Sequence, residues 1–286
     1  MIYNEDFFTA IDRYDIKNVD LVVTSPPYYT ARNYGGIALF DDNPVEWIKW
    51  CYNAILKLST TLKETGVIWW NTGSGYKDHK KMVHIYGLII ALHGKGIELI
   101  DEIPWIKKTA PPKRIKNRPF PAWEHNFILA PNPSKVTFYR DNVRQPYSKA
   151  TLERMKYRLG KLSPDLDGEY GEENSRVSPN PGGATPPNYL ILSQDYSKRP
   201  HPAPMTPDLA NWAIRAYSRE GDLVFDPMAG IGTTWVESIK LNRNFIGCEL
   251  FPEYIEIAKL SVARLDRGDD PYNGLKKEWN ERKDNS

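Results

Sequence analysis

Cysteine is scarce: Cys51 and Cys248 are the only two in 286 residues. Two thiols cannot build a disulfide framework for a chain this long. Both lie in apolar stretches, so buried and inert thiols are expected. No apolar run approaches the ~20 residues that a membrane-spanning helix needs, and no membrane partner is expected. The opening Met1-Ile2-Tyr3-Asn4-Glu5-Asp6 is acidic and lacks the basic and apolar segments of a secretory leader, which makes the cytoplasm the expected compartment. A dominant charge of one sign is also missing. The net charge is only +2, so affinity for nucleic acid would have to come from a local patch. Internal repeats are absent, and no metal site is expected.

What is present is a globular composition, 41% hydrophobic and 26% charged, with an alternation of strand-like and helix-like runs. Val19 to Thr24 reads as a buried strand ending in a turn at Ser25-Pro26-Pro27. Apolar spacing predicts a helix from Pro44 to about Leu62, with Asn43 as N-cap and Pro44 at its first position. A strand over Gly66–Asn71, a helix over Val83–Leu92 and a strand over Trp123–Ala130 follow. From His201 the alternation resumes, with a helix from Thr206 or Pro207 to Tyr217 and a strand at Leu223–Phe225. A Gly-rich turn leads to a helix from Thr233 to about Leu241, a strand over Asn244–Glu249 and a helix over Pro252–Leu265. Such alternation implies βαβ units and a largely parallel sheet. The expected organisation is a first half over 1–130, a variable and partly flexible region over 131–200, a second half over 201–267, and a polar, frayed tail over 268–286.

The stretch Leu223-Val224-Phe225-Asp226-Pro227-Met228-Ala229-Gly230-Ile231-Gly232-Thr233-Thr234 is the most informative. It reads as strand, acid, Gly-rich turn and helix start, and ligands of open α/β sheets bind at that end of the strands. A phosphate-cradling loop would need lysine after the second glycine, where Thr233 stands. A dinucleotide fingerprint would need a third glycine where Trp235 stands. What remains is a nucleoside-cofactor site, with Glu249 ending the next strand, where a carboxylate can accept hydrogen bonds from ribose hydroxyls.

A second corner, Thr24-Ser25-Pro26-Pro27-Tyr28-Tyr29, follows the first buried strand. Two prolines fix φ and remove two N–H donors, leaving a rigid turn with outward carbonyls. Such a turn suits a hydroxyl and a carbonyl that must hold an amino group on a transfer line. A neighbouring aromatic ring can stack on a base removed from its duplex. Thr185-Pro186-Pro187-Asn188-Tyr189 looks similar but sits in the irregular region and is read as a plain loop.

Together the two corners resemble the motifs of β-class DNA amino-methyltransferases. Thr24 to Tyr29, with Arg32-Asn33-Tyr34-Gly35 behind it, resembles the catalytic motif. Asp226 to Thr234 resembles the cofactor motif, and His201-Pro202-Ala203-Pro204-Met205 the segment before it. The order, catalytic motif first and cofactor motif last, is that of a permuted class I S-adenosylmethionine-dependent methyltransferase fold. The resemblance implies an α/β Rossmann-like sheet, mostly parallel with helices on both faces, plus a target-recognition insertion. It covers roughly residues 1–130 and 201–265.

The resemblance also implies roles. Ser25 and the Pro26 carbonyl would accept from the target amine, Pro27 would stiffen the turn, and Tyr28 would stack on the extruded base. Asp226, Pro227, Met228, Gly230, Gly232, Thr233 and Thr234 would surround S-adenosylmethionine beside Thr24 and His201, with Glu249 on the ribose. Asp6 would lie near the adenine, although Glu5 replaces the glycine usual before it. The family's lysine after His201 is not evident, since Met205-Thr206-Pro207 stands there. No enzyme nucleophile is needed, whereas cytosine C5 chemistry needs a cysteine in a Pro-Cys setting; Cys51 follows Trp50 and Cys248 follows Gly247.

Serine at the head of the corner implies cytosine N4, with adenine N6 and ribosomal RNA cytidine N4 as alternatives. The implied partner is double-stranded DNA, or RNA in that last case. The implied setting is a restriction–modification system of a prokaryotic or phage-infected cell, near the nucleoid, with a cognate endonuclease. Residues 107–118 carry six cations and no acid. Phosphate contact is expected from Lys107, Lys108, Lys113, Arg114, Lys116 and Arg118, with Arg32 beside the catalytic corner. Arg140, Arg144, Lys149, Arg154, Lys156 and Arg158 supply cations in the variable region. The rings of Trp47 and Trp50 would allow a homodimer.

Overall fold

Strand β1 (Ile2–Tyr3) and helix α1 (Phe7–Arg13) open the chain, followed by β2 (Val19–Thr24), α2 (Pro44–Ser59) and β3 (Leu62–Thr72). A short hairpin of β4 (Tyr76–Lys77) and β5 (Lys80–Lys81) precedes α3 (His84–Leu92), β6 (Glu98–Glu102), β7 (Trp105–Lys107) and β8 (Trp123–Ala130). Helix α4 (Lys149–Lys156) and strand β9 (Leu190–Leu192) come next. The last elements are α5 (Pro207–Tyr217), β10 (Leu223–Asp226), α6 (Thr233–Lys240), β11 (Asn244–Cys248), α7 (Pro252–Asp266) and α8 (Leu275–Asp284). This computed structural model describes residues 1–29, 40, 43–110, 114–156, 180–194, 199–201 and 203–284.

Nine strands form one sheet in the order β1-β11-β10-β2-β3-β8-β7-β9, with β6 also paired to β8. The run from β1 to β3 is parallel, and β8 is antiparallel to β3, β6 and β7. β10 comes from the C-terminal half yet lies directly beside β2 from the N-terminal half. Sequence-distant corners thereby meet at adjacent strand ends.

Buried parallel strands must be apolar on both faces, and here side-chain alternation sorts the two. Phe225, Val22, Ile68 and Leu129 are register partners across β10, β2, β3 and β8. All four belong to a core closed by Phe7 and Ala10 of α1, Trp47, Ile55 and Leu58 of α2, and Ile85 and Leu88 of α3. Trp69 points the other way and packs on Trp212 and Tyr217 of α5, at ring distances of 5.6 and 6.3 Å. Burying each large apolar side chain contributes ~1.5–3 kcal/mol, which is why the helices stay on their assigned faces.

The α2 start follows the expected capping, with the Asn43 side chain accepting from Val45 N at 3.0 Å. Cys51 and Cys248 are buried and unpaired. Burial pushes the Cys51 thiol well up and that of Cys248 to about 12. Trp47 is fully buried, and Trp50 packs against Phe7, Phe8 and Phe40, so both rings are engaged within the chain. Among the described residues no helix is long and apolar enough to cross a membrane.

One expectation needs correcting. The segment after Arg267, expected to be a frayed tail, carries α8: Leu275 is buried with Ile231, Ile257 and Leu260, and Arg264 pairs with Glu278. The two apolar anchors of α8, Leu275 and Trp279, both on that cluster, are too few among the charged residues of so short a segment to read as an apolar stripe. Strands β6, β7 and β9 went unread because each is short and takes its pairing from β8 or β7. Residues Tyr139–Pro187 form a separate compact unit within the expected variable region. Inside it Gln145 bridges Ala184 and Arg144 reaches the Gly183 carbonyl at 2.8 Å.

Candidate active site at the carboxyl ends of the central strands

Thr24 ends β2 and Asp226 ends β10, and the strands are neighbours. The Thr24 hydroxyl donates to Asp226 Oδ1 at 3.1 Å, linking positions 202 apart in sequence. The same oxygen accepts from Met228 N at 3.1 Å, and Oδ2 accepts from the Thr234 hydroxyl at 2.6 Å. Burial pushes the Asp226 carboxyl up to about 6; the bonds from Thr234, Met228 and Thr24 oppose the rise and the charge of Glu249 adds to it.

The turn that follows needs its glycines. Gly230 has φ +52° and Gly232 φ +77°, in the left-handed region that disfavours side chains. A Cβ on Gly232 would also lie 2.7 Å from that of Ala258. Glu249 closes the turn, its carboxylate accepting from Gly230 N at 2.8 Å and Phe251 N at 2.9 Å. Burial pushes its pKa up despite those bonds. Pro227 is buried and Met228 packs on the core.

His201 lies against this turn. Its Nδ1 accepts from Ala203 N at 3.1 Å, its ring meets Tyr254 edge-on at 4.7 Å, and its Nε2 is 3.6 Å from where a Gly230 Cβ would sit. The cation that reaches the turn is Arg199, which donates to the Thr233 hydroxyl at 2.7 Å and the Met205 carbonyl at 2.6 Å. Asp6 follows β1 and caps α1 through Phe8 N at 2.9 Å. Nearby, Asn4 donates to the carbonyls of Glu249 and Leu250, both at 3.0 Å.

This half fits a cationic nucleoside. Gly230, partly exposed, offers backbone without a Cβ, Gly232 packs the helix start against Ala258, and two carboxyls are held above their ordinary range by burial. A positive charge placed there would favour their ionised forms.

The second corner sits at the end of β2 and is braced differently. Pro26 is buried, and the Pro27 carbonyl accepts from Trp47 Nε1 at 2.8 Å, tying the turn to α2. Ser25 Oγ donates to Asn71 Oδ1 at 3.1 Å. The Tyr28 hydroxyl lies 2.8 Å from both Asn71 Oδ1 and Glu124 Oε2, and 3.4 Å from Ser25 Oγ. A phenol has one proton to give, so these acceptors share it. Asn71 is itself oriented, its Nδ2 donating to Asn126 Oδ1 at 3.0 Å, while Asn126 donates to the Ile103 carbonyl at 2.8 Å. The amide chain therefore draws the Ser25 proton toward Asn71 Oδ1, leaving the oxygen's lone pairs available as acceptors. Gly73 makes room for Tyr28: a Cβ there would be 2.9 Å from the ring.

Asn71, Gly73, Glu124 and Arg199 were not singled out from the sequence. The available signal was weak: Asn71 ends an apolar strand that continues into Thr-Gly-Ser-Gly. Buried His125 pairs with Glu102, and burial lowers its pKa, in keeping with a structural ring.

The expected basic patch divides. Lys107 is ion-paired with Glu124, with both side chains largely covered. Lys108, Arg114 and Lys116 are exposed, and the Arg118 guanidinium lies 3.4 Å over the Tyr76 ring. Arg32, Asn33, Tyr34, Gly35, Lys113, Arg158 and Pro202 lie outside the described residues.

Residues 19–260 match the family model described as DNA methylase, N6_N4_Mtase. The type II methyltransferase M.SmaI of Serratia marcescens is 27% identical over 89% of this chain and 88% of its own length. The orphan methyltransferase M.BamHII of Bacillus amyloliquefaciens is 30% identical over 84% and 87%. Among solved structures, the PvuII DNA methyltransferase (cytosine-N4-specific) superposes with a TM-score of 0.64 at 18% identity, over 90% of this chain and 84% of that one. The M1.HpyAVI–SAM complex gives 0.55 at 22% identity, over 91% and 98%.

Proposed function

The chain belongs to the DNA methylase family of the N6/N4 type, and from that premise we propose that it methylates the exocyclic N4 of cytosine within a specific DNA sequence. It is a DNA methyltransferase that uses S-adenosylmethionine. The observation that carries the site assignment is the Thr24–Asp226 hydrogen bond, which brings the two corners to one cleft.

S-adenosylmethionine, when bound, supplies a methyl group on a cationic sulfur. Asp226, Pro227, Met228, Gly230, Gly232, Thr233 and Thr234 form its bed, with Thr24, His201 and Asp6 at the edges and Glu249 for the ribose. On the other side of the cleft, an exocyclic amine is a poor nucleophile because its lone pair is delocalised into the ring. Ser25 Oγ and the Pro26 carbonyl accept its two N–H bonds and favour a tetrahedral nitrogen. Tyr28 stacks on the base after it leaves the duplex. Holding amine and methyl in line can contribute up to ~7–11 kcal/mol, and no covalent enzyme intermediate is needed.

Ser25 at the head of the corner supports cytosine, as does the likeness to a cytosine-N4-specific enzyme. The type II relatives support a restriction–modification setting with a cognate endonuclease. Lys108, Arg114 and Lys116 supply phosphate contacts, and the compact unit Tyr139–Pro187 supplies sequence reading.

The test is methyl transfer from labelled cofactor to duplex DNA and to folded RNA, followed by nucleoside analysis. N4-methylcytosine in DNA is expected. N6-methyladenine would overturn the base assignment, and label confined to RNA would overturn the substrate.

A further inference from the structure

Beyond the end of β3 at Thr72 the chain does not leave the catalytic corner at once. It continues through Gly73, against the Tyr28 ring, into the β4–β5 hairpin. Tyr76 pairs with Lys81 and Lys77 with Lys80. The hairpin turns at Asp78 and His79, whose φ values are +49° and +63°. Such a two-residue turn with both φ positive matches the natural twist of a hairpin, so its lysines are held on a defined ribbon. Lys77, Lys80 and Lys81 are exposed.

Arg118 arrives from a different segment and lies flat on Tyr76, its guanidinium carbon 3.4 Å from the ring centroid. Its Nε and Nη1 are covered yet have no hydrogen-bond partner. Covered donors of a cation without an acceptor are unfavourable. Stacking on an aromatic face orients a guanidinium without neutralising it, so the charge is left for an anion to balance at Nη2, the nitrogen that is not covered. Beside it Lys81 Nζ sits 5.2 Å over the ring of Trp123, which is 37% exposed. The next residue, Glu124, bonds to Tyr28.

We propose that the β4–β5 hairpin and the Tyr76-held Arg118 form a phosphodiester-binding rim of the active site, gripping the DNA backbone next to the extruded base. This rests on the DNA-methyltransferase reading and adds the hairpin, whose lysines Lys77, Lys80 and Lys81 lie outside the basic stretch of residues 107–118. Arg118 takes phosphate oxygens at its open edge, with Lys80 and Lys81 on adjoining phosphates. Because the hairpin springs from the strand end that touches Tyr28, the backbone it holds is that of the nucleotide being methylated or its neighbour. A planar, always-charged cation fixed on a ring suits a tetrahedral phosphate better than a mobile surface lysine does.

The test measures duplex affinity against salt for the full chain, Arg118→Gln, Lys80→Ala/Lys81→Ala and a control, Lys259→Ala on α7. Each neutralised phosphate contributes about −0.9 to the slope of log K against log salt. Arg118→Gln should therefore flatten the slope by about one and the double variant by about two, with Lys259→Ala unchanged. Calorimetric S-adenosylmethionine affinity, retained in every variant, reports that the fold is intact. Tyr76→Leu, which leaves the cation but removes its platform, should weaken DNA binding as well. An unchanged slope in Arg118→Gln overturns the proposal even if the wild type methylates DNA. A wild type that neither binds nor methylates duplex DNA removes this reading together with the one beneath it.

Discussion

The two corners of the cleft are built by opposite strategies. In the cofactor turn each carboxylate oxygen of Asp226 and Glu249 already accepts a donor from the protein, and left-handed glycines fix the backbone. In the catalytic corner one amide oxygen, that of Asn71, serves both Ser25 and Tyr28, and the tyrosine proton is divided between Asn71 and Glu124. The first is preformed for a ligand of constant shape. The second is a shared network, which on the proposed reading re-pairs around an incoming amine. Preformed sites should answer to backbone change, and shared ones to loss of a single hydroxyl or amide.

Four experiments press on that contrast. The largest effect is expected from Ser25→Ala, which removes an acceptor used as charge shifts: single-turnover methyl transfer should fall about 10²–10³-fold, by analogy with loss of one stabilising donor. Cofactor affinity measured by calorimetry should stay constant, and a matched loss of cofactor binding would break the division. Gly232→Ala should act the other way, weakening cofactor binding and lowering the melting temperature. Its left-handed φ alone costs about 1–2 kcal/mol with a side chain, before the contact with Ala258.

The third effect follows from Asp226. Its carboxyl titrates at about 6 in the folded chain, against about 3.9 unfolded, so the fold binds this proton more tightly than the unfolded chain does. This group's contribution to stability is thus fully present below about pH 4 and is lost as pH rises through 6. Cofactor affinity runs oppositely, since a cationic ligand favours the carboxylate. It should drop about tenfold from pH 7 to pH 5, and titration at pH 5 in buffers of different ionisation enthalpy should show proton release. A flat profile would mean that the turn does not sense the ligand's charge. The smallest effect on the chemical step belongs to Asn71→Ala: the bond that orients Ser25 is worth about 1 kcal/mol, so methyl transfer should slow severalfold, while loss of the buried bonds to Tyr28 and Asn126 should also lower the melting temperature. Its readout is kcat falling while KM for DNA holds.

How legible all this was depends on how local each signal is. Val19–Thr24 and Trp123–Ala130 could be bounded because apolar runs abut prolines, glycines or polar residues. Ser25, Asp226 and Glu249 stood out because each sits in a short motif at a strand end. Asn71 and Glu124 carry no such mark: they reach the proposed site only once β8 lies antiparallel to β3, with Asn71 opposite Asn126. Lys107 read as a free cation because its partner Glu124 is 17 positions away. Strand β6, Glu98–Glu102, hid for a related reason, since three of its five residues are acids and its pairing to β8 decides its state.

The place of β10 between β2 and β11 bears on synthesis as well as on chemistry. A ribosome that has delivered the first two hundred residues has released β2 and β3 but not β10. One whole edge of β2, apolar on both faces, then waits without a partner, and β1 waits for β11, whose Gly247 will donate to the carbonyl of Met1. Unpaired edges of this kind invite pairing with other chains, and their closure over long sequence separations is intrinsically slow. The same neighbour relation that assembles the cleft makes the last sixty or so residues the closing stitch of the nascent sheet.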